Sequence, residues 1–229
     1  MNIVCLKFGT KYPSEDVNKL YKSCKRNITL PFNFYCFTEH PIGVDKQIKI
    51  IPLTHSLNLQ GWWHKLYLFE AVKNLTGRII YIDLDTLILK NINKLLLRDE
   101  KFIVLRDFYT GQPGRSDRWG TGEKAVGSGF MMWNAGELTH IWDNFVNSNP
   151  EKIVRRIHPH GDQKWIQEQT YHEERTYFQD FTDEVVSFKL HCKKSLPSNA
   201  SVVCYHGNPG IADSIKMYPQ HTWIAENWK

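Results

Sequence analysis

The chain has 229 residues, 41% of them hydrophobic and 23% charged, with a net charge of +5. That supports one domain with a sizeable core and rules out a disordered or fibrous composition. No Lys/Arg run marks a nucleic-acid footprint, and no apolar run reaches membrane-spanning length. The mild basic surplus suits a phosphate-bearing ligand. Eight tryptophans most often serve a core, although flat apolar faces also suit sugars. The five cysteines (Cys5, Cys24, Cys36, Cys192, Cys204) are odd in number and contain no C-x-x-C pair. They read as free, small hydrophobes in a reducing, cytoplasmic setting.

Ile3 to Phe8 is a short apolar run and predicts a buried first strand. Ser14 follows as an expected helix N-cap, with Glu15 and Asp16 in the first turn and Val17, Leu20, Tyr21 and Cys24 at helical spacing. Phe34 to Phe37 and Ile48 to Ile51 predict two more strands, giving the β-α-β-β opening of a layered α/β domain. Trp62 to Leu75 predicts a helix that Gly77 stops. Ile79 to Ile82 is a continuous apolar strand, buried on both faces, that ends abruptly in Asp83-Leu84-Asp85. Phe102 to Leu105 predicts another strand.

Residues 108 to 129 hold six glycines and Pro113 without periodicity, which predicts a long functional loop bordering the site. Phe130 to Trp133 predicts a strand. Leu138, Ile141, Trp142 and Phe145 form a helix stripe, and a short helix covers Gln163 to Gln169. Strands are expected near Val185 to Leu190 and Val202 to Tyr205. There is no repeat or linker, so residues 1–229 read as a single domain.

The chemistry concentrates at Asp83-Leu84-Asp85. In open α/β sheets, ligands bind at the carboxyl ends of strands. Side chains at i and i+2 point the same way in extended chain, so two such carboxylates can share a cation. Carboxylates together with phosphate oxygens suit Mg²⁺ and Mn²⁺. Taken alone, the two acids could equally end the strand and cap a turn.

The block His64-Lys65-Leu66, Ile79 to Ile82, Asp83-Leu84-Asp85-Thr86-Leu87-Ile88-Leu89 and Asn91-Ile92 resembles the donor-binding core of glycosyltransferase family 8, the glycogenin family. That resemblance implies a GT-A-like fold, an α/β/α sandwich with a central mixed sheet. It also implies transfer of a sugar from a nucleotide-diphospho-sugar, UDP-linked, to an acceptor hydroxyl on a carbohydrate or glycoconjugate, with Mn²⁺ or Mg²⁺. Gly127-Ser128-Gly129 is similar to the family's segment after the metal motif, without its leading Asn. Asp162-Gln163 is similar to its catalytic D-Q pair. Val203-Cys204-Tyr205-His206-Gly207 is similar to the strand whose His is the third metal ligand. The resemblance therefore assigns Asp83, Asp85 and His206 to the metal. It assigns Lys65, Ser128 and Gly207 with the two acids to the donor, and Asp162 and Gln163 to catalysis.

The chain departs from the family after His206: Gly207-Asn208-Pro209-Gly210 brings neither the Lys nor the Trp expected there. A diphosphate-binding Lys is missing or comes from elsewhere. His206 also fits a hydrogen-bonded core His, Lys65 a surface position on an amphipathic helix, and Asp162 a helix N-cap. His158, His160 and Asp162 alternate, but Pro159 and Gly161 mark a turn there. In the transfer these parts permit, a metal offsets charge on the leaving group while Asp162 stands near the glycosyl carbon as base, transient nucleophile or electrostatic support. Two alternatives remain: a non-catalytic nucleotide-sugar-binding domain, and a haloacid-dehalogenase-type phosphohydrolase. The latter wants Thr or Val where Leu87 stands.

Overall fold

A computed structural model describes residues 1–55, 57–110, 125–158, 160–171 and 174–229. Two sheets carry the chain. Their strands are β1 (Asn2–Lys7), β2 (Asn33–Thr38), β3 (Lys49–Pro52), β4 (Arg78–Ile82), β5 (Thr86–Ile88), β6 (Phe102–Arg106), β7 (Val126–Asn134), β8 (Arg175–Tyr177), β9 (Val185–Ser187) and β10 (Val202–Cys204). Seven form a mixed sheet in the order β3-β2-β1-β4-β7-β6-β8, and three form a small one in the order β5-β10-β9. Strands β3, β2, β1 and β4 run parallel to one another, β7 runs antiparallel between β4 and β6, and β8 is parallel to β6.

The period-two alternation of the strands sorts their side chains into two cores. Ile3, Cys5, Ile80, Ile82, Phe130 and Met132 face α1 (Ser14–Asn27), which buries Val17, Leu20, Tyr21 and Cys24 against them. Val4, Leu6, Ile79, Tyr81, Met131 and Trp133 face the other way. That face is covered by a 3₁₀ helix (Gly61–Tyr67), α2 (Leu68–Ala71), α4 (His140–Asn147) and α6 (Gly161–Gln169). Both faces are covered, which is why β1 and β4 are continuous apolar runs. The remaining helices are α3 (Asn93–Leu96), α5 (Pro150–Ile157), α7 (Ile211–Met217) and α8 (Thr222–Asn227). The last two close a third core over the small sheet around Leu87, Val203, Phe188 and Trp228.

Several elements differ from the sequence reading. Ser14 is the first helical residue and not the cap; its hydroxyl donates to the Ile42 carbonyl at 2.6 Å. The expected helix from Trp62 to Leu75 is a 3₁₀ segment followed by one α-turn, and the chain enters it through Gly61 at φ +62°. The strand expected from Val185 to Leu190 stops at Ser187, because the chain coils into a π-turn over Phe188–Cys192. The expected loop over residues 108 to 129 ends early: β7 begins at Val126, so Gly127 and Gly129 are strand residues. Residues 111–124 of that loop lie outside the described residues. All five cysteines are free and buried.

Candidate active site

Asp83 closes β4. Its N–H donates to the Gly129 carbonyl at 2.9 Å, after which the chain leaves the large sheet and enters β5 of the small one. The Asp83-Leu84-Asp85 segment is thus a turn between two sheets, so the extended-chain rule does not govern where its acids point. Asp83 keeps the face of Tyr81, whose hydroxyl donates to Asp83 Oδ1. Asp85 Oδ2 instead accepts from the Tyr12 hydroxyl at 3.0 Å, on the side where the chain passes from β1 to α1. The alternation that sorted the two cores ends at Ile82.

The 3₁₀ helix delivers Lys65 beneath Asp83. Lys65 is 5% exposed, and its ammonium lies 3.1 Å from Asp83 Oδ1, 3.5 Å from Asp162 Oδ2 and 3.0 Å from Ser128 Oγ. It sits 5.0 Å above the Tyr81 ring, a cation–π distance. Ser128, from β7, donates to Asp162 Oδ2 at 2.5 Å. Asp162 lies in the first turn of α6, where the helix dipole favours a negative charge, and is 2% exposed. Lys65, Asp83, Ser128 and Asp162 come from four separate elements and close into one buried network.

The electrostatics follow from that burial. Desolvation alone would lower Lys65, but the Asp162 and Asp83 carboxylates outweigh it and hold the ammonium above its ordinary range. Burial raises the Asp162 carboxyl, against the pull of Lys65 and the Ser128 hydrogen bond. Burial and the charge of Asp83 raise Asp85 to about 6, with the Tyr12 hydrogen bond opposing. One buried ammonium therefore serves three neighbouring carboxyl groups. Gly129 lies close opposite them: a Cβ there would stand 3.2 Å from Asp83 Oδ2 and would press that carboxylate aside.

On the other side of the turn, the Tyr205 N–H donates to the Asp85 carbonyl at 3.0 Å, which brings the β10 end alongside the acids. His206 follows. Its Nε2 is 2.6 Å from Ser187 Oγ, and its ring stacks on Phe108 with centroids 5.8 Å apart. Burial, then the charges of Lys189 and His191, push it down to about 4, so the imidazole is neutral near pH 7. Gly207 adopts φ +66°, and a Cβ there would stand 3.2 Å from Lys189 Nζ. Gln163 lies apart from the Lys65 network. With His160, Lys164, Asp107 and Val126 it lines a small, open cleft.

The structure thus brings Lys65, Asp83, Ser128 and Asp162 together, with Asp85, His206 and Gly207 across the turn. It does not gather His206 with both acids: among the described residues, no three His, Cys, Asp or Glu side chains stand close enough to form a metal cage. Sequence reasoning missed Tyr12, Tyr81 and Lys189. Tyr81 was readable, since it precedes Asp83 by two residues in a strand. Lys189 sits in a π-turn with no periodic signal.

No family model matches the chain, and no curated protein does. Solved structures do. A galactosyltransferase, LgtC, in complex with donor and acceptor sugar analogs superposes with a TM-score of 0.65 at 13% identity, over 100% of this chain and 97% of that one. An active-site mutant of LgtC gives 0.56 at 14% identity, over 92% and 89%. The glycosyltransferase GlyE of Streptococcus pneumoniae gives 0.62 at 12% identity, over 99% of this chain and 62% of that one. The GT-A-like fold, with its central mixed sheet, is therefore the fold of this chain.

Proposed function

We propose that the chain is a metal-dependent glycosyltransferase that moves a sugar from a UDP-linked donor to a hydroxyl of a carbohydrate or glycoconjugate acceptor. The observation that carries this reading is the closed Lys65–Asp83–Ser128–Asp162 network at the carboxyl end of β4, in a chain folded like known glycosyltransferases. The same fold likeness, and an Asp-Leu-Asp segment that follows the fourth strand, count against the haloacid-dehalogenase alternative. Among the described residues no helix is long and apolar enough to cross a membrane, and the buried free thiols support a cytoplasmic location.

The donor atoms of Asp83, Asp85 and His206 suit Mn²⁺ or Mg²⁺ by their chemistry, and the three side chains would have to turn from their present partners to hold one ion. Asp83 and Asp85 offer hard carboxylate oxygens, Lys65 leaves the three carboxyl groups with an excess of negative charge, and His206 adds a neutral imidazole once it releases Ser187. The bound ion would offset the charge that develops on the diphosphate leaving group. The chain's own residues do the rest. Lys65 ties Asp83 to Asp162 and so fixes the phosphate end of the site against the sugar end. Lys65 and Ser128 both act on Asp162 Oδ2 and so hold in place the carboxylate that the resemblance sets near the glycosyl carbon. Burial strengthens the interaction of that carboxylate with the positive charge of an oxocarbenium-like state. Lys189, beside Gly207, supplies the phosphate-facing cation that the segment after His206 lacks.

Thermal unfolding with UDP, UDP-glucose, UDP-galactose and UDP-N-acetylglucosamine, each with and without MnCl₂, tests this reading. A donor at one hundred times its Kd stabilises the native state by about 2.7 kcal/mol. That is a rise of roughly 5–10 °C in a chain of this size. The rise should require Mn²⁺. If no nucleotide sugar moves the transition under either condition, the reading fails.

A further inference from the structure

We infer that Trp62 is the floor of the acceptor-sugar subsite, an inference that rests on the transferase reading above. Among the described residues, Trp63, Trp133, Trp142, Trp165 and Trp228 are buried in the core and Trp223 is half-buried against it. Trp62 is 49% exposed. It is also firmly placed. Gly161 has φ +67°, and a Cβ built on it would lie 2.0 Å from Trp62 Nε1 and 2.4 Å from Cδ1. The indole edge rests on the bare backbone where α6 begins, and no other residue type leaves room for it.

The 3₁₀ geometry then sets what the indole faces. With three residues per turn, positions i and i+3 lie on one ridge. Trp62 and Lys65 share that ridge. Both reach the start of α6, Trp62 at Gly161 and Lys65 at Asp162, 3.5 Å away. A half-exposed indole therefore stands one residue from the carboxylate assigned to the glycosyl carbon. The groups proposed for the metal and the diphosphate, Asp85 beside Tyr12 and Lys189 beside Gly207, are not part of the Lys65–Asp162 cluster that Trp62 adjoins. A donor whose diphosphate is held by those groups and whose sugar is held at Asp162 has its sugar next to the residue, Gly161, that carries Trp62. The next molecule along that line is the acceptor.

A pyranose has an apolar C–H face and a polar rim, and an indole offers a rigid, flat, apolar partner for the first at little conformational cost. A nucleobase would stack as well, but it belongs to the far end of the diphosphate.

Kinetics with Trp62→Ala and Trp62→Phe test this, using UDP-glucose or UDP-galactose as donor and lactose and methyl β-glycosides as acceptor probes. Trp62→Ala should raise the acceptor KM about tenfold while leaving the donor KM and acceptor-free UDP release within about twofold, and Trp62→Phe should stay within about threefold of wild type. Both variants should melt near the wild-type temperature. An unchanged acceptor KM in Trp62→Ala, a donor KM that rises with it, or a Phe variant as impaired as the Ala variant would overturn the inference. Wild-type protein that releases no UDP from any donor overturns the transferase reading itself, and this inference with it. Where wild type hydrolyses donor but transfers to none of the probes, saturation-transfer NMR with the same glycosides decides. Signals in wild type that vanish in Trp62→Ala support the subsite, and their absence from wild type refutes it.

Discussion

Replacing Lys65 with Met removes the ammonium that binds Asp83 and Asp162 and leaves an unbranched apolar side chain one atom shorter. Asp162 is the costly partner, at 3% side-chain exposure, whereas Asp83 is 30% exposed and water takes up much of its charge. Breaking a buried pair typically costs about 3–5 kcal/mol. Partial hydration of Asp83 puts this case at the low end, so Lys65→Met should lose about 3 kcal/mol. In a chain of this length that lowers the melting temperature by roughly 6–12 °C. The double variant Lys65→Met/Asp162→Asn removes the stranded charge and should regain about 2 kcal/mol of that loss. Urea denaturation reads both values, as shifts in midpoint at constant slope. Lys65→Met within about 1 kcal/mol of wild type, or a double variant no more stable than the single, would refute the buried network as the site's structural centre.

Gly129→Ala should leave stability nearly unchanged, yet cut kcat/KM about tenfold by pushing Asp83 Oδ2 away from a methyl 3.2 Å distant; steady-state kinetics beside a melting curve separates the two. Trp133→Ala should cost about 3–5 kcal/mol, because Trp133 is fully buried on the helix-covered face of the sheet against Phe69; a urea midpoint measures it. The 2.9 Å His55–His64 contact sets a pH dependence. Burial holds both rings below the ordinary histidine range. The unfolded chain therefore binds more protons, and stability should fall as pH drops through about 6.5 toward the depressed native values. His55→Phe should flatten that slope between pH 7 and 5, measured by denaturation at fixed salt.

Much of the central sheet was legible because its signal is local. Ile79 to Ile82 is apolar on both faces only if helices cover both faces, and the abrupt change to Asp83 marks where the strand leaves its cover. The same run gave the site its position. What escaped depends on contacts distant in sequence. The strand Thr86–Ile88 is three residues long and exists because Val202–Cys204, over a hundred residues later, pairs with it. Asp83 and Asp85 were expected to point alike. They part because the turn between the sheets hands one to Lys65 and the other to Tyr12. The spacing of Trp62, Leu66, Phe69 and Val72 is α-helical, but over Gly61–Tyr67 the chain winds as 3₁₀, which buries Leu66 and leaves Trp62 half-exposed. That difference put Trp62 and Lys65 on one ridge. Gln163, which the resemblance pairs with Asp162, lines the cleft beside His160 and Lys164.

The central claim is that Asp83 and Asp85 hold a metal that donor cleavage requires. The most direct measurement is UDP release from a UDP-sugar by wild-type protein with MnCl₂, repeated in excess EDTA and with the Asp83→Asn/Asp85→Asn variant at a temperature where circular dichroism shows it folded. Release should fall by about a hundredfold or more in both cases and return in wild type when Mn²⁺ is restored. Release that persists undiminished in EDTA, or in the folded double variant, contradicts the claim.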